Sequence, residues 1–245
     1  MSGLLIAGTR VSPLLPRVVR NDASFEAATS GPGGSVPGRA PRILDVGCGN
    51  GEFLARMRCL GWDCEGIDID PGAVKVAKAA GLSVRLATLA DLVREGPERR
   101  FDAIALDHVL EHLYDPVGSL RTARKLLSPG GFVWIATPNL SGLGHRTFGR
   151  AWRPLDPPRH LVLFSPDALR SALRSAGFAG QLEQPAARTA CWVFALSGAP
   201  ADGSNPLLAR APLAVRLKAL VADLVARRCP ALAEELVIVA RANAV

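Results

Sequence analysis

From Arg42 onwards, short apolar runs alternate with stretches whose apolar residues recur at every third or fourth position. The first pattern predicts buried strands and the second predicts helices. Strands are expected at Arg42–Val46, Gly66–Asp70, Ser83–Leu86, Phe101–Leu106, Phe132–Ala136 and Glu235–Ala240. Helices are expected over Glu52–Leu60, with Phe53, Leu54, Met57 and Leu60 apolar, and from Pro71 through Val74, Val76 and Ala77. Further helices follow at Pro116–Leu127 and from Pro166 until Gly177, with Ser165 as cap and Pro71 and Pro166 suited to a first helical turn. Ser128-Pro129-Gly130-Gly131 reads as a turn, and a sixth strand is placed between the last of these helices and the tail. Strands alternating with helices predict an α/β fold with a doubly wound sheet.

Both flanks break this rhythm. Residues 30–41 have linker composition, so 1–41 reads as an N-terminal arm and flexible linker ahead of a domain over 42–245. Within that domain, 199–230 reads as an insertion before the last strand: a loop, then a helix over 212–228. Leu213, Leu217, Leu220, Val221 and Leu224 fall at helical spacing, among Arg216, Lys218, Arg227 and Arg228. Packing this apolar stripe on the domain is the first expectation. Peripheral membrane contact through the basic amphipathic helix is the second.

Composition narrows the class. The 245 residues are 49% hydrophobic, enough for one large α/β core, with no apolar run of spanning length. Met1–Ala7 lacks the long apolar centre of a secretory signal, so a cytoplasmic location is expected. The five cysteines form no C-x-x-C pair, which argues against a disulfide framework or zinc site. The net charge of +7 comes mostly from scattered arginines, with no basic run interleaved with aromatics. Nucleic acid is therefore not expected as a partner, and a basic surface or an acidic small substrate explains the charge.

The densest chemical signal is Ile43-Leu44-Asp45-Val46-Gly47-Cys48-Gly49-Asn50-Gly51. Its glycines lie in a strand-to-helix turn, where the absence of Cβ atoms lets a ligand approach the backbone. Their spacing is G-x-G-x-G with an acid two places earlier, not the G-x-G-x-x-G of dinucleotide sites. Asp68, at the end of the second strand, follows Gly47 by 21 residues, where a carboxylate can accept ribose hydroxyls. On these residues the chain resembles the class I S-adenosylmethionine-dependent methyltransferases. The resemblance implies a Rossmann-like seven-stranded sheet, mostly parallel with the last strand antiparallel, and S-adenosyl-L-methionine as cofactor. It implies a cofactor set of Asp45, Gly47, Cys48, Gly49, Gly51, Asp68, Ile69, Thr88, Leu89 and Asp107. Cys48 is assigned no chemistry of its own. The chain has Ala87-Thr88-Leu89-Ala90-Asp91 where the family often has an acid beside the adenine, which places Thr88 or Leu89 at that edge.

His108-Val109-Leu110-Glu111-His112 matches the H-x-x-E-H zinc pattern, but the first histidine sits where strand gives way to loop and no third ligand is evident. No metal is expected. Asn139 is expected to point over the sheet edge after Pro138. Asp156-Pro157-Pro158-Arg159-His160, with Trp152, resembles the substrate-side loop of the ubiquinone-biosynthesis-like (type 11/23) small-molecule methyltransferases. That resemblance makes His160 a candidate general base for O-methylation of a small molecule, and His108 is the second candidate; bracing the loop is the alternative role for His160. Two other classes stay open, a non-catalytic cofactor-binding protein and a nicotinamide-dependent oxidoreductase. The glycine spacing and the lack of a Tyr-x-x-x-Lys pair speak against the oxidoreductase. Acceptor identity and oligomeric state are not legible.

Overall fold

β1 (Arg42–Val46) and β4 (Phe101–Asp107) are buried along almost their whole length, as parallel strands covered by helices on both faces must be. In the computed structural model, which describes residues 38–96, 100–183, 189–198 and 212–242, they pair in parallel inside a seven-stranded sheet. β2 (Asp63–Asp68) and β3 (Val84–Leu86) lie beyond β1. On the other side, β4 is followed by β5 (Leu127–Pro138), then β7 (Glu235–Ala242), then β6 (Phe178–Glu183). β7 runs antiparallel to both its neighbours. The expected sheet, including its antiparallel last strand, is therefore present.

Helices α1 (Glu52–Cys59), α2 (Pro71–Ala79), α3 (Leu89–Arg94) and α4 (Pro116–Leu126) link the parallel strands. α5 (Leu143–Phe148) and α6 (Pro166–Ser175) join β5 to β6. α7 (Thr189–Ser197) and α8 (Leu213–Arg228) lie between β6 and β7. Alternate residues of one strand serve opposite faces. Leu44, Val46, Ile104 and Leu106 pack with Leu120 and Leu169 on one face, while Ile43, Ala103 and Ala105 pack with Phe53 and Met57 on the other. Helix starts carry their own caps: Asp70 accepts from Gly72 N at 2.7 Å, Asp115 from Gly118 N at 2.8 Å and Ser165 from Ala168 N at 3.2 Å.

Some elements depart from the sequence reading. Ser128–Gly131, expected as a turn, lies inside β5, where Leu127 pairs with Phe101 and the register shifts before Ala103. Gly130, at φ 77°, supplies the left-handed residue that such an irregularity uses. Thr88, read as loop, caps α3 in a capping box: Thr88 Oγ1 accepts from Asp91 N, and Asp91 Oδ2 accepts from Thr88 N at 2.8 Å.

The largest departure is α8. Its inward face is Ala219, Ala222 and Ala226, packed in part against Ala190 and Phe194 of α7, and its leucines face outward. Small side chains let two helices approach closely, so the alanine face takes the interface and the expected packing of the leucine stripe on the domain is overturned. No helix among the described residues is long and apolar enough to cross a membrane. The expected arm lies outside the described residues up to residue 37. Arg39, just beyond, is tied to Asp102 at the start of β4 by two hydrogen bonds of 2.7 and 2.9 Å. The expected loop at 199–206 also lies outside the described residues.

Candidate active site

The strand order reverses between β1 and β4, and ligands of doubly wound sheets bind outside the carboxyl ends of such neighbours. Asp45 is buried near the end of β1. Beyond it Gly47, Gly49 and Gly51 all have positive φ, at 67°, 54° and 80°. The turn leans on β2: Gly47 N and Cys48 N donate to Ile67 O at 2.8 and 3.1 Å. Gly49 N donates to Asp68 Oδ2 at 2.8 Å, and Asp70 N donates to Asp68 Oδ1 at 2.8 Å. Each Asp68 oxygen thus has one backbone donor and keeps a second lone pair.

A Cβ on Gly47 would lie 2.8 Å from Val109 Cγ2 of the loop after β4, whereas one on Gly49 would meet nothing within 4 Å. The turn is closed at its base and open at its tip, a cradle that fits the methionine part of an adenosyl cofactor. Beside it Asp68 has lone pairs for a ribose, and the next residue, Ile69, is 67% exposed as an apolar surface for a purine. Thr88 is exposed at the start of α3, and Asp107 is half-buried at the end of β4. Leu89 is buried and faces the core. Cys48 is fully buried where Gly66 leaves room for it: a Cβ on Gly66 would come within 2.8 Å of Cys48 Sγ.

His108 adopts φ 53°, rare outside glycine, and donates its backbone N–H to Ala136 O at 2.8 Å. Its Nδ1 lies 3.1 Å from Glu111 Oε1 and its Nε2 3.3 Å from Glu235 Oε1. Burial by itself would depress the imidazole pKa, but the hydrogen bonds and charges of the two carboxylates raise it well above 6.5. An imidazolium bonded through both nitrogens has no lone pair with which to accept a proton. His108 thus links the end of β4 to the start of β7 through both ring nitrogens, and it ranks behind His160 as a candidate base. Glu111 also accepts from Thr137 Oγ1 at 3.0 Å through Oε2. Its burial opposes ionisation, yet the bond and charge of His108 hold its carboxyl below the ordinary range.

The backbone of Glu111 receives the acceptor-side loop, since Leu161 N and Val162 N donate to its carbonyl at 2.7 and 3.2 Å. This docks residues 156–162 on the turn that carries His112. The loop is braced by Asp156, which pairs with Arg153 and with Arg159. His160 Nδ1 lies 2.5 Å from Pro154 O, His112 Nδ1 lies 2.9 Å from Arg159 O, and the two rings meet edge-on with centroids 4.8 Å apart. A neutral ring whose Nδ1–H donates to a carbonyl keeps its lone pair on Nε2. Burial lowers the His160 pKa below 6.5, against the opposing pull of the Pro154 carbonyl and Glu111.

Glu111, His112 and His160 offer ligand atoms that all lie within 4.8 Å of one another. No third ligand is evident in sequence beside His108 and His112; the fold brings His160, and not His108, into this group. Within this group Glu111 brings oxygens already engaged by His108 and Thr137.

Asn139 does not reach over the sheet edge. Pro138 still pairs with Glu235, and Asn139 is fully buried, with Nδ2 on Ala231 O and Ala233 O and Oδ1 accepting from Ser141 N. Glu234, also buried, accepts from Gly144 N at 2.6 Å and from Trp152 Nε1 at 3.1 Å, so it holds α5 and the start of the acceptor-side segment against β7. Burial, with help from Asp223 and Glu235, pushes its pKa up to about 7. A glutamate with a folded pKa above its unfolded value of 4.5 binds more protons folded than unfolded, so its contribution to stability falls as pH rises from about 4.5 to about 7. Urea unfolding at about pH 5 and about pH 8 is expected to show wild type losing about 1–3 kcal/mol more than Glu234→Ala over that window. Equal losses would mean that Glu234 does not titrate there.

Glu111, Thr137, Glu234 and Glu235 were not singled out from sequence as site residues. A signal existed for the last two: adjacent acids opening an otherwise apolar strand, Glu235–Ala240, must find partners if the strand is buried.

A family model described as a methyltransferase domain matches residues 14–183. A ubiquinone biosynthesis O-methyltransferase of Cereibacter sphaeroides is 32% identical over 170 residues, which are 63% of this chain and 66% of that relative. One from Xanthomonas campestris pv. campestris is 38% identical over 111 residues, 43% of this chain and 45% of the relative. The matched stretches thus span less than two thirds of these relatives. Among solved structures, a SAM dependent methyltransferase from Archaeoglobus fulgidus superposes with a TM-score of 0.56 at 20% identity, over 82% of this chain and 86% of that one. This likeness bears on the fold.

Proposed function

The chain belongs to the methyltransferase-domain family, as a class I S-adenosylmethionine-dependent member, and from that premise we propose that it O-methylates a small molecule with His160 as general base. The cofactor supplies a methyl group on an electrophilic sulfonium. The protein's own task is to align an acceptor with that methyl, exclude water and manage one proton. The observation that carries the reading is the placement of His160: Nδ1 lies 2.5 Å from Pro154 O, a carbonyl that can only accept, which leaves Nε2 for the acceptor, and burial favours the neutral ring. Its Nε2 would take the proton of an acceptor hydroxyl. The imidazolium formed would stand near the Glu111 carboxylate, whose charge favours it. The O-methyltransferase names of the two relatives support a hydroxyl acceptor. Asp45, Gly47, Gly49, Gly51 and Asp68 would hold the cofactor, with Ile69 and Thr88 at its purine edge.

Calorimetry is expected to show binding of S-adenosylmethionine and its demethylated product but not of NAD. Incubation with a metabolite pool is expected to yield products heavier by one methylene. Cofactor binding without any methylated product would favour the non-catalytic reading instead. Because the sulfonium methyl is already an activated electrophile and a histidine serves as the proposed base, methyl transfer is expected to survive dialysis against a chelator. Loss of activity restored by a divalent ion would make His112 and His160 ligands.

A further inference from the structure

Helix α8 turns its small residues inward and its large apolar residues outward. Leu213, Leu217, Leu220, Val221 and Leu224 are between 43% and 69% exposed. Their spacing of four, three, one and three places them on one face, opposite the buried Ala219, Ala222 and Ala226. At 3.6 residues per turn, Arg216 and Arg227 fall along one border of the stripe, Lys218 falls on the other, and Arg228 closes its C-terminal end. All four are exposed. The helix's one acid, Asp223, is turned to α7, where Ala190 N and Cys191 Sγ lie 3.1 and 3.5 Å from its oxygens. The outward face is therefore apolar in the middle and cationic at its edges, on a chain of net charge +7.

We propose that this face of α8 docks on an anionic lipid bilayer surface. A helix of this kind lies in the interface plane, its apolar side chains among the acyl boundary and its basic ones among the headgroups. Long Arg and Lys stems reach sideways from the stripe to keep their charges in water. A second copy of the chain is the poorer occupant, because pairing two such faces would set like charges against each other. The proposal does not depend on methyl transfer, and its test is made without cofactor.

Full-length protein is floated with vesicles of phosphatidylglycerol and phosphatidylcholine, or of phosphatidylcholine alone. Binding to the anionic vesicles is expected to be about tenfold or more stronger, and to weaken with salt. The variant L217S/L220S/L224S, at three exposed positions, is expected to lose about tenfold or more with an unchanged unfolding midpoint. R216E/K218E is expected to lose the preference for anionic lipid. Full binding by the serine variant would place the contact elsewhere in the chain and overturn the proposal. No binding to any vesicle, or self-association in sedimentation that the same substitutions abolish, would overturn it too.

Discussion

His160→Ala is expected to lower the turnover number by about two to four orders of magnitude, the usual worth of a positioned general base. That corresponds to about 3–5 kcal/mol of activation free energy. Cofactor affinity should stay within about twofold, because the glycine turn rests on β2 and not on the acceptor-side loop. The pH profile is the sharper readout. Burial holds the His160 pKa below 6.5, so the wild-type rate should be flat near neutrality and fall only at pH values below that depressed pKa, where Nε2 is protonated. His160→Gln should lose that acid limb together with the rate. A variant that loses cofactor binding or melts early would show instead that the ring serves to brace the loop through Pro154. His112→Ala is expected to cost less, since His112 is tied to Arg159 O and acts on the rate through the position of the His160 ring.

The parts of this site legible in sequence are those whose logic is local. The glycine turn needs its residue types at fixed offsets because three positive φ values occur within five residues, and a strand–turn–helix pattern surrounds it. Ser165 and Pro166 announced α6 for the same reason. What could not be read depends on contacts across the chain. That the His108 ring is engaged on both sides depends on Glu235, far away at the start of β7. His160 reads as a lone histidine after two prolines until the loop folds back on Glu111 and sets it 4.8 Å from His112. Asn139 looks like an edge residue, yet its amide is used up by carbonyls on the 231–233 segment. For α8 the period was correct and the face was wrong. Leucine and alanine both recur at helical spacing, and only the close approach of α7 decides which set turns inward.

Asp68→Ala is expected to weaken binding of S-adenosylmethionine and of its demethylated product alike, by about 1.5–3 kcal/mol, the range for losing hydrogen bonds to a charged acceptor. In affinity this is roughly ten- to 150-fold. The carboxylate has two duties that must be separated. It accepts from Gly49 N and Asp70 N, which fixes the glycine turn against β2, and in the proposed reading its remaining lone pairs would accept from a ribose. Loss of the first duty should appear without ligand, as a fall of about 1 kcal/mol in unfolding free energy. The second is isolated by a cofactor analogue lacking both ribose hydroxyls. Wild type should bind that analogue about as weakly as Asp68→Ala binds the natural cofactor, and the substitution should then add little further loss. Asp68→Asn should fall between, since its amide keeps one acceptor but presents a donor where a backbone N–H already points. If Asp68→Ala weakened the natural cofactor and the analogue equally, the residue would act only by holding the turn, and the ribose would have another partner.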